Sequence, residues 1–333
     1  LVKNQGLDQR IFQFDHDNSL MVFFLNADGT IYGRYGSRNG NAGNSDNLLS
    51  VNAARLAMER ALALHRGYPA NRAQLAGKRG PAPQYAVPEQ IPGLTDRDVQ
   101  PVTRKQCIHC HMIREQEITN SWKAGTLKPR DLFVHPLPDN IGLHIDVEDG
   151  RRVTSVDAGS PAAKAGLAAG DELLAFNGQP LLSVADMQWV LNGLDDTATL
   201  TVQAKRGAST SDYRVALSGN WRESDISWRA SSWAGLRHGL LAVALTADEK
   251  RAAGLAEDSL AMLIKQMYGN SQQVLPRAGL RAKDIIVDFG GKTSAMTDSQ
   301  FLVHLRTTYG PNDSIKVVVL RDGQRVNLTL PPW

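Results

Sequence analysis

The sequence predicts an α+β protein made of several domains, and three observations lead to that prediction. The chain has 333 residues, enough for two or three domains of about 150 residues each. A motif near residue 165 recurs near residue 278, and a proline-rich stretch precedes both copies. Hydrophobic residues make up 42% and charged residues 21% of the chain, which is typical of folded proteins with apolar cores and excludes disordered and fibrous classes.

Composition also limits the classes of partner. The formal net charge is +3, and the basic residues are scattered among acidic ones, so no nucleic-acid partner is predicted. The longest apolar runs, at 20–25 and 240–245, are shorter than the roughly 20 residues that span a bilayer. No transmembrane segment is therefore predicted. The chain begins with Leu rather than Met, which predicts a processed product or a part of a longer chain.

Residues 1–67 are predicted to form one domain. The apolar run at 20–25 predicts a strand, and Asp28-Gly29 predicts a tight turn into a second strand, because glycine tolerates positive φ. Asp46 is the predicted N-cap of a helix that ends before Gly67. The apolar residues at helical spacing in this helix are Leu48, Val51, Ala54, Met58, Ala61 and Leu62.

This strand, turn, strand and helix resemble the second half of a thioredoxin-like fold, above all in Val22-Phe23-Phe24-Leu25-Asn26-Ala27-Asp28-Gly29. The resemblance implies a partial thioredoxin-like α/β domain. The redox helix of that fold would lie before residue 1, so no thiol–disulfide activity is expected from this domain. Residues 68–105 contain six prolines and three glycines between them, which predicts a proline-rich, semi-rigid linker.

The second half contains an internal repeat. Ala165-Gly166-Leu167 aligns with Ala278-Gly279-Leu280 at a constant offset of 113 residues, and Asp171 aligns with Asp284. Each copy continues with a short apolar strand, a glycine-bearing turn, a helix with a capping-box pattern and a β-rich stretch. These residues resemble PDZ domains of the circularly permuted type that bacterial periplasmic proteases carry. The resemblance implies two tandem PDZ-like β-barrel domains at 141–220 and 221–333, the second with a tryptophan-rich leading segment and an insert.

A PDZ domain binds peptides by strand addition beside its helix. By resemblance, Ile141, Gly142 and Leu143 would form the loop that catches a peptide carboxylate. The groove beside them would be lined by Met187, Val190 and Leu191. The predicted partners are therefore proteins or peptide termini. In the alternative, the grooves are filled by the chain itself and the modules act as spacers.

The sequence has no G-x-S-x-G nucleophile motif and few histidines, so a protease is not favoured.

The two cysteines lie in one motif. Cys107-Ile108-His109-Cys110-His111 matches C-x-x-C-H, the attachment sequence for c-type haem. Cys107 and Cys110 would hold one covalent haem c by thioethers, with His111 as the proximal iron ligand. Two alternatives stay open, a dithiol pair and a zinc or copper site that includes His109.

The distal ligand of such a haem is less defined. His135 is the first candidate, although an interface or solvent-facing histidine fits the sequence equally well. His144, Met58, His65 and a five-coordinate iron are further alternatives. The haem-motif segment, residues 106–140, is a short helical stretch that is too small to enclose a porphyrin. It would have to pack against a neighbouring domain or a second subunit, so a homo-oligomer stays open.

The whole arrangement resembles a bacterial family of thioredoxin-like proteins with a C-x-x-C-H segment followed by PDZ domains. The resemblance implies a periplasmic or otherwise extracytoplasmic, monohaem, cytochrome c-like protein for electron transfer or redox sensing. Its PDZ modules would dock partner proteins, and it would be an electron carrier or binding protein more than an enzyme. The alternatives are a haem-free PDZ scaffold with a metal or dithiol site at 107–111, and a thiol–disulfide oxidoreductase with a cysteine or selenocysteine site upstream of residue 1.

Overall fold

The computed structural model describes residues 4–40, 46–94, 108–234, 239–268 and 271–332. The chain divides into two compact units. Unit 1 comprises Leu1–Ile113 and Phe133–Ser224, and unit 2 comprises Arg114–Leu132 and Asp225–Trp333. Among the described residues, no helix has both the length and the apolar character that crossing a bilayer requires.

The N-terminal part of unit 1 is a hairpin followed by a helix. Strands β1 (Val22–Leu25) and β2 (Ile31–Tyr35) are antiparallel, and Gly29 in the turn has φ of 81°, as the Asp-Gly pair predicted. Helix α1 (Val51–Arg66) follows. The two-stranded sheet and its helix do not show a thioredoxin-like domain, so that part of the predicted fold is not supported.

Helix α1 differs from its prediction in two details. Its N-cap is Ser50, whose Oγ accepts hydrogen bonds from the N–H groups of Asn52 and Ala53, and not Asp46. Its buried face is a stripe of small residues, Ala53, Ala57 and Ala61, whereas Val51, Met58 and Leu62 are exposed. The helix therefore approaches its neighbours closely through alanines, and these three larger apolar side chains lie outside the core.

Residues 72–94 of the predicted linker pack into unit 1. Helix α2 (Arg72–Leu75) and a 3₁₀ turn, Ala76–Lys78, interrupt the extended chain. Ile91 and Leu94 are buried in a cluster with Ile108 and Ile113, and Lys78 is fully buried. The apolar residues between the prolines gain enough burial to order this stretch, so these residues do not form a spacer. Helix α3 (Cys110–Lys123) follows.

The rest of unit 1 carries two separate antiparallel sheets. Strands β3 (Leu143–Ile145) and β4 (Val153–Val156) form one, and helix α4 (Pro161–Lys164) follows them. The second sheet has the order β6-β5-β7-β8 and packs with helix α5 (Val184–Asn192) around one apolar core. Its strands are β5 (Glu172–Phe176), β6 (Gln179–Pro180), β7 (Ala198–Arg206) and β8 (Ser209–Leu217).

Unit 2 is built on one five-stranded antiparallel sheet of order β13-β12-β11-β10-β9. The helices are α6 (Ala230–Ala234), α7 (Ala247–Ala252), α8 (Ser271–Arg277) and α9 (Asp298–Thr308). The strands are β9 (Leu240–Ala244), β10 (Met262–Met267), β11 (Ile285–Phe289), β12 (Ile315–Arg321) and β13 (Gln324–Leu330). Phe301 and Leu305 of α9 join the sheet in the core. Within the described residues neither unit closes a sheet on itself, so the predicted β-barrels are open sheets.

The two copies of the repeat contain the same ion pair, in which a buried aspartate binds an arginine. In unit 1, Asp171 accepts hydrogen bonds from Arg206 Nε and Nη2 at 2.7 and 2.8 Å. In unit 2, Asp284 accepts from Arg321 Nε and Nη2 at 2.7 and 2.6 Å. In each copy the arginine also donates to a glycine carbonyl in the preceding turn. The network fixes the turn before the first strand of the repeat, which explains why the aspartate recurs at the constant offset.

Replacing Asp171 with asparagine is expected to reduce the free energy of unfolding at pH 7 by about 1.5–3 kcal/mol, because the charge-assisted hydrogen bonds from Arg206 are weakened. Burial opposes ionisation of Asp171, but hydrogen bonds from Arg206 and from the N–H of Ala168 outweigh it and hold the pKa below its usual range. This contribution is present above the unfolded-state pKa of about 3.9 and is lost as pH falls through the lower folded-state value. Urea unfolding between pH 7 and pH 3 checks the prediction, with exposed Asp212→Asn as control. A deficit that is as large at pH 3 as at pH 7 would contradict it.

Candidate functional site

A cavity of about 130 Å³ lies in unit 1 between β3 and the start of α5. Among the described residues β3 pairs only with β4, and His144 and Ile145 of β3 line this space. The cavity walls are mainly apolar side chains and glycine backbone, contributed by Tyr35, Gly36, Leu48, Ala53, Leu137, Pro138, Ile145, Val147, Gly150 and Val184. Four polar residues complete them, Ser37, Asp139, His144 and Ser183. The site therefore offers an apolar pocket beside a strand edge.

A buried charge cluster holds α5 in place. Asp186, near the start of α5, accepts a hydrogen bond from Lys78 Nζ at 2.8 Å, and its side chain also accepts from the N–H groups of Leu182 and Arg34. Lys78, Asp186 and Arg34 are each exposed by 1% or less. Burial lowers the pKa of Lys78 and lowers that of Arg34 to about 10, and the charge of Asp186 opposes both shifts.

Strand β2 is attached to α5 through the same cluster. The Arg34 guanidinium lies 3.9 Å from the ring centroid of Trp189 and donates to the carbonyl of Lys78 at 2.8 Å. Ser183 Oγ donates to the carbonyl of Arg34 at 2.7 Å. A Cβ on Gly33 would lie 2.4 Å from Leu182 Cδ1, so only glycine fits at this contact. The N-terminal hairpin thus forms one wall of the cavity.

The chain itself covers the second half of α5. Ser37 Oγ donates to Gln188 Oε1 at 2.8 Å, and Gln188 Nε2 donates to the carbonyl of His135 at 2.9 Å. The N–H of His135 donates to Asn192 Oδ1 at 2.9 Å, and His135 has φ of 49°. The alternative of a groove filled from within therefore holds for the Gln188–Asn192 side of the helix, whereas the cavity remains beside Val184.

The polar rim of the cavity is a histidine between two aspartates. His144 Nδ1 lies 3.0 Å from Asp139 Oδ1, and His144 Nε2 lies 2.8 Å from Asp157 Oδ1. The hydrogen bond to Asp157 raises the pKa of His144, partial burial opposes that rise, and Asp139 adds to it. The two carboxylates thus favour the protonated imidazole.

The predicted groove residues lie mostly in the core. Five of them, Ile141, Leu143, Met187, Val190 and Leu191, are buried members of the apolar cluster of unit 1. The sixth, Gly142, has φ of 84°, and its N–H donates to the carbonyl of Asp139 at 2.9 Å. The apolar periodicity of α5 marks its core face. Val184 lies on the same face, three residues before Met187, and lines the cavity at the start of the helix. The helical spacing of Val184 from Met187 and Leu191 was the available signal.

The C-x-x-C-H motif is only partly described, since Cys107 lies outside the described residues. Cys110 Sγ accepts a hydrogen bond from Asn4 Nδ2 at 3.3 Å. His111 stacks on His109 with ring centroids 5.7 Å apart, and its buried Nδ1 has no hydrogen-bond partner among the residues that the structure describes. Burial lowers the pKa of His111, and His109 adds to that effect. In the described part of the chain, no group of three or more histidine, cysteine or acidic side chains is placed to hold a metal ion.

Comparison with known proteins recognises a PDZ domain at residues 140–217. A probable periplasmic serine endoprotease, DegP-like, from Pseudomonas savastanoi pv. phaseolicola is 27% identical over 197 residues, covering 58% of this chain and 39% of that protein. Its counterpart in Ectopseudomonas mendocina is 26% identical over 218 residues, covering 64% and 43%. The solved HtrA-type protease AlgW with a decapeptide is 19% identical, covers 42% of this chain and 50% of that one, and has a TM-score of 0.25.

These comparisons settle several predictions. The chain spans about two fifths of the length of the curated relatives that it matches. The first PDZ domain is confirmed, and so is the periplasmic location, because the curated relatives are periplasmic proteins. The cytochrome-like function in electron transfer or redox sensing is wrong, since the relatives are serine endoproteases. The haem and iron assignments rested on the same C-x-x-C-H motif, and they lose their support when the cytochrome-like function is rejected.

Proposed function

We propose that residues 140–217 bind an extended peptide segment between β3 and α5, so that the chain contributes peptide capture to a periplasmic protein. The observation that carries this proposal is the apolar cavity lined by β3, a strand whose second edge pairs with no other strand among the described residues. Strand addition in a PDZ domain uses the edge for main-chain hydrogen bonds and the neighbouring pocket for a side chain. The curated relatives are named as endoproteases, an activity for which peptide capture is a necessary step.

The dimensions of the cavity define what it accepts. Its volume of about 130 Å³ is close to the roughly 150 Å³ that holds one benzene molecule in an engineered protein cavity. One apolar side chain of the size of leucine therefore fills it. Because Ser37 and His135 cover the Gln188 side of α5, the bound segment is short. A short segment buries little area, so the complex is expected to be weak and transient.

We assign peptide capture to unit 1 because α9, the corresponding helix of unit 2, is covered by its own leading segment. Ser299 Oγ accepts a hydrogen bond from the N–H of Ile226 at 2.9 Å and donates to Asp225 at 2.9 Å. Buried Arg306 donates to the carbonyl of Ser232. Residues 225–232 thus contact α9 near both of its ends. The matching Asp–Arg networks support a second PDZ-like module here, in a structural role.

Replacing Val184 with tryptophan is expected to weaken peptide binding at least about tenfold, because the larger side chain fills the cavity that the ligand needs; tenfold corresponds to about 1.4 kcal/mol. Fluorescence anisotropy of a labelled octapeptide with one central leucine among alanine, serine and glycine measures the affinity. The matched control is Thr199→Trp, which adds the same side chain at an exposed position of β7 and should bind as the parent protein does. Equal affinity of the two variants would contradict the proposed site.

A further inference from the structure

We propose that the cavity selects a peptide with a lysine or arginine beside its apolar residue, and that Asp139 and Asp157 are the specificity-determining residues. This inference rests on the proposed function, because it names the substrate class of the same site. Its basis is the arrangement of charge at the rim of an otherwise apolar pocket. A bound peptide must place an apolar side chain in the pocket and an oppositely charged side chain at the rim.

The rim carboxylates are placed to meet a ligand. Asp139 and His144 line the cavity directly, and Asp157 is joined to His144 at 2.8 Å. The side chains of Asp139 and Asp157 are 53% and 57% exposed. In each pair it is Oδ1 that contacts the imidazole, which leaves the second carboxylate oxygen of each aspartate to accept from a cationic side chain. Each ring nitrogen of His144 is hydrogen-bonded to one aspartate, so the imidazole fixes the two carboxylates on either side of it.

The sign of the charge follows from the three groups. With His144 protonated the rim carries one net negative charge, and with His144 neutral it carries two. A cationic side chain is therefore attracted in either state, whereas an acidic side chain is repelled. Asp139 and Asp157 are the charged groups that face His144, from the turn before β3 and from the loop after β4.

The same geometry disfavours a free peptide carboxyl terminus. The N–H of Gly142, in the loop predicted to catch a carboxylate, is engaged by the carbonyl of Asp139 at 2.9 Å. The carboxylate of Asp139 stands at the same loop and would repel a terminal carboxylate. The preferred ligand is therefore an internal segment of a polypeptide, with its basic residue at the rim and its apolar residue in the pocket.

The test compares three end-blocked octapeptides, Ala-Gly-Ser-Leu-Xaa-Ser-Gly-Ala, in which Xaa is lysine, glutamine or glutamate. Because the aspartates are more than half exposed, the lysine peptide is expected to bind about fivefold more tightly than the glutamine peptide at low salt, and the glutamate peptide more weakly than both. The lysine preference should shrink as salt is added. It should grow as pH rises through the titration of His144, because the rim then gains a negative charge.

The variant Asp139→Asn with Asp157→Asn is expected to bind all three peptides equally, at the affinity that the parent protein has for the glutamine peptide. Asp212→Asn, on β8, should keep the parent's preference, and the single variant Asp157→Asn should lose part of it. If the parent protein binds all three peptides with equal affinity, or prefers glutamate, the charge selection is wrong while peptide capture stands. If it binds none of them, the proposed function fails as well.

Discussion

Replacing Asp186 with alanine is expected to reduce the free energy of unfolding by about 3–5 kcal/mol, because it leaves a buried cation without its counter-charge. Lys78 is fully buried and loses its carboxylate partner at 2.8 Å. Arg34, whose guanidinium is also buried, loses the charge that opposes the effect of burial on its pKa. Chemical unfolding of the full chain, followed by tryptophan fluorescence, measures the loss.

A double-mutant cycle separates this effect from a simple loss of packing. If Lys78 and Asp186 interact as the structure shows, Lys78→Ala combined with Asp186→Ala should cost less than the sum of the single changes, because no buried charge of that pair remains uncompensated. Asp212→Ala, at an exposed position of the same unit, should change stability by less than about 0.5 kcal/mol. Additive effects of the two buried changes would contradict the cluster.

Replacing Gly33 with alanine is expected to cost about 1–3 kcal/mol, because the added methyl group has no room where β2 meets α5. Its Cβ would lie 2.4 Å from Leu182 Cδ1 and 2.5 Å from Asp186 Oδ2. The strain would also displace the hairpin that forms one wall of the cavity, so affinity for peptide should fall together with stability. Unfolding in urea and peptide anisotropy on the same preparation measure the two effects.

Gly193→Ala is the matched control for Gly33. Gly193 follows α5 in the same unit with φ of −76°, and a Cβ there would lie 3.5 Å from its nearest neighbour, an ordinary contact. The same chemical change should therefore leave stability and peptide affinity close to those of the parent protein. If both glycine variants unfold alike, β2 does not pack on α5 as described.

Local patterns predicted the local structure. The Asp-Gly turn at 28–29 and the Ala165 repeat each depend on residues close in sequence, and both appear in the fold. The packing of residues 72–94 into unit 1 could not be predicted in the same way. Prolines are typical of a spacer, whereas the burial of Lys78 depends on Asp186, about a hundred residues away. The N-cap at Ser50 was missed because Asp46 and Ser50 carry the same capping chemistry, and only tertiary packing fixes where the helix begins.

The candidate site shows the same limit. The apolar stripe through Met187, Val190 and Leu191 packs in the core, and Val184, one turn earlier on the same face, lines the cavity. The rim of Asp139, His144 and Asp157 joins three segments that only the fold brings together. The C-x-x-C-H motif predicted a cytochrome because five adjacent residues match it, whereas relatives of the chain are endoproteases.

Hydrogen exchange of the full chain, with and without the lysine octapeptide, tests peptide capture between β3 and α5 most directly. Strand addition satisfies the outer edge of β3, so bound peptide should slow amide exchange in residues 143–147 and in residues 183–188 at the start of α5. Exchange in the sheet of unit 2 should not change. Unchanged exchange at β3 under saturating peptide, or protection confined to residues 262–330, would contradict the account.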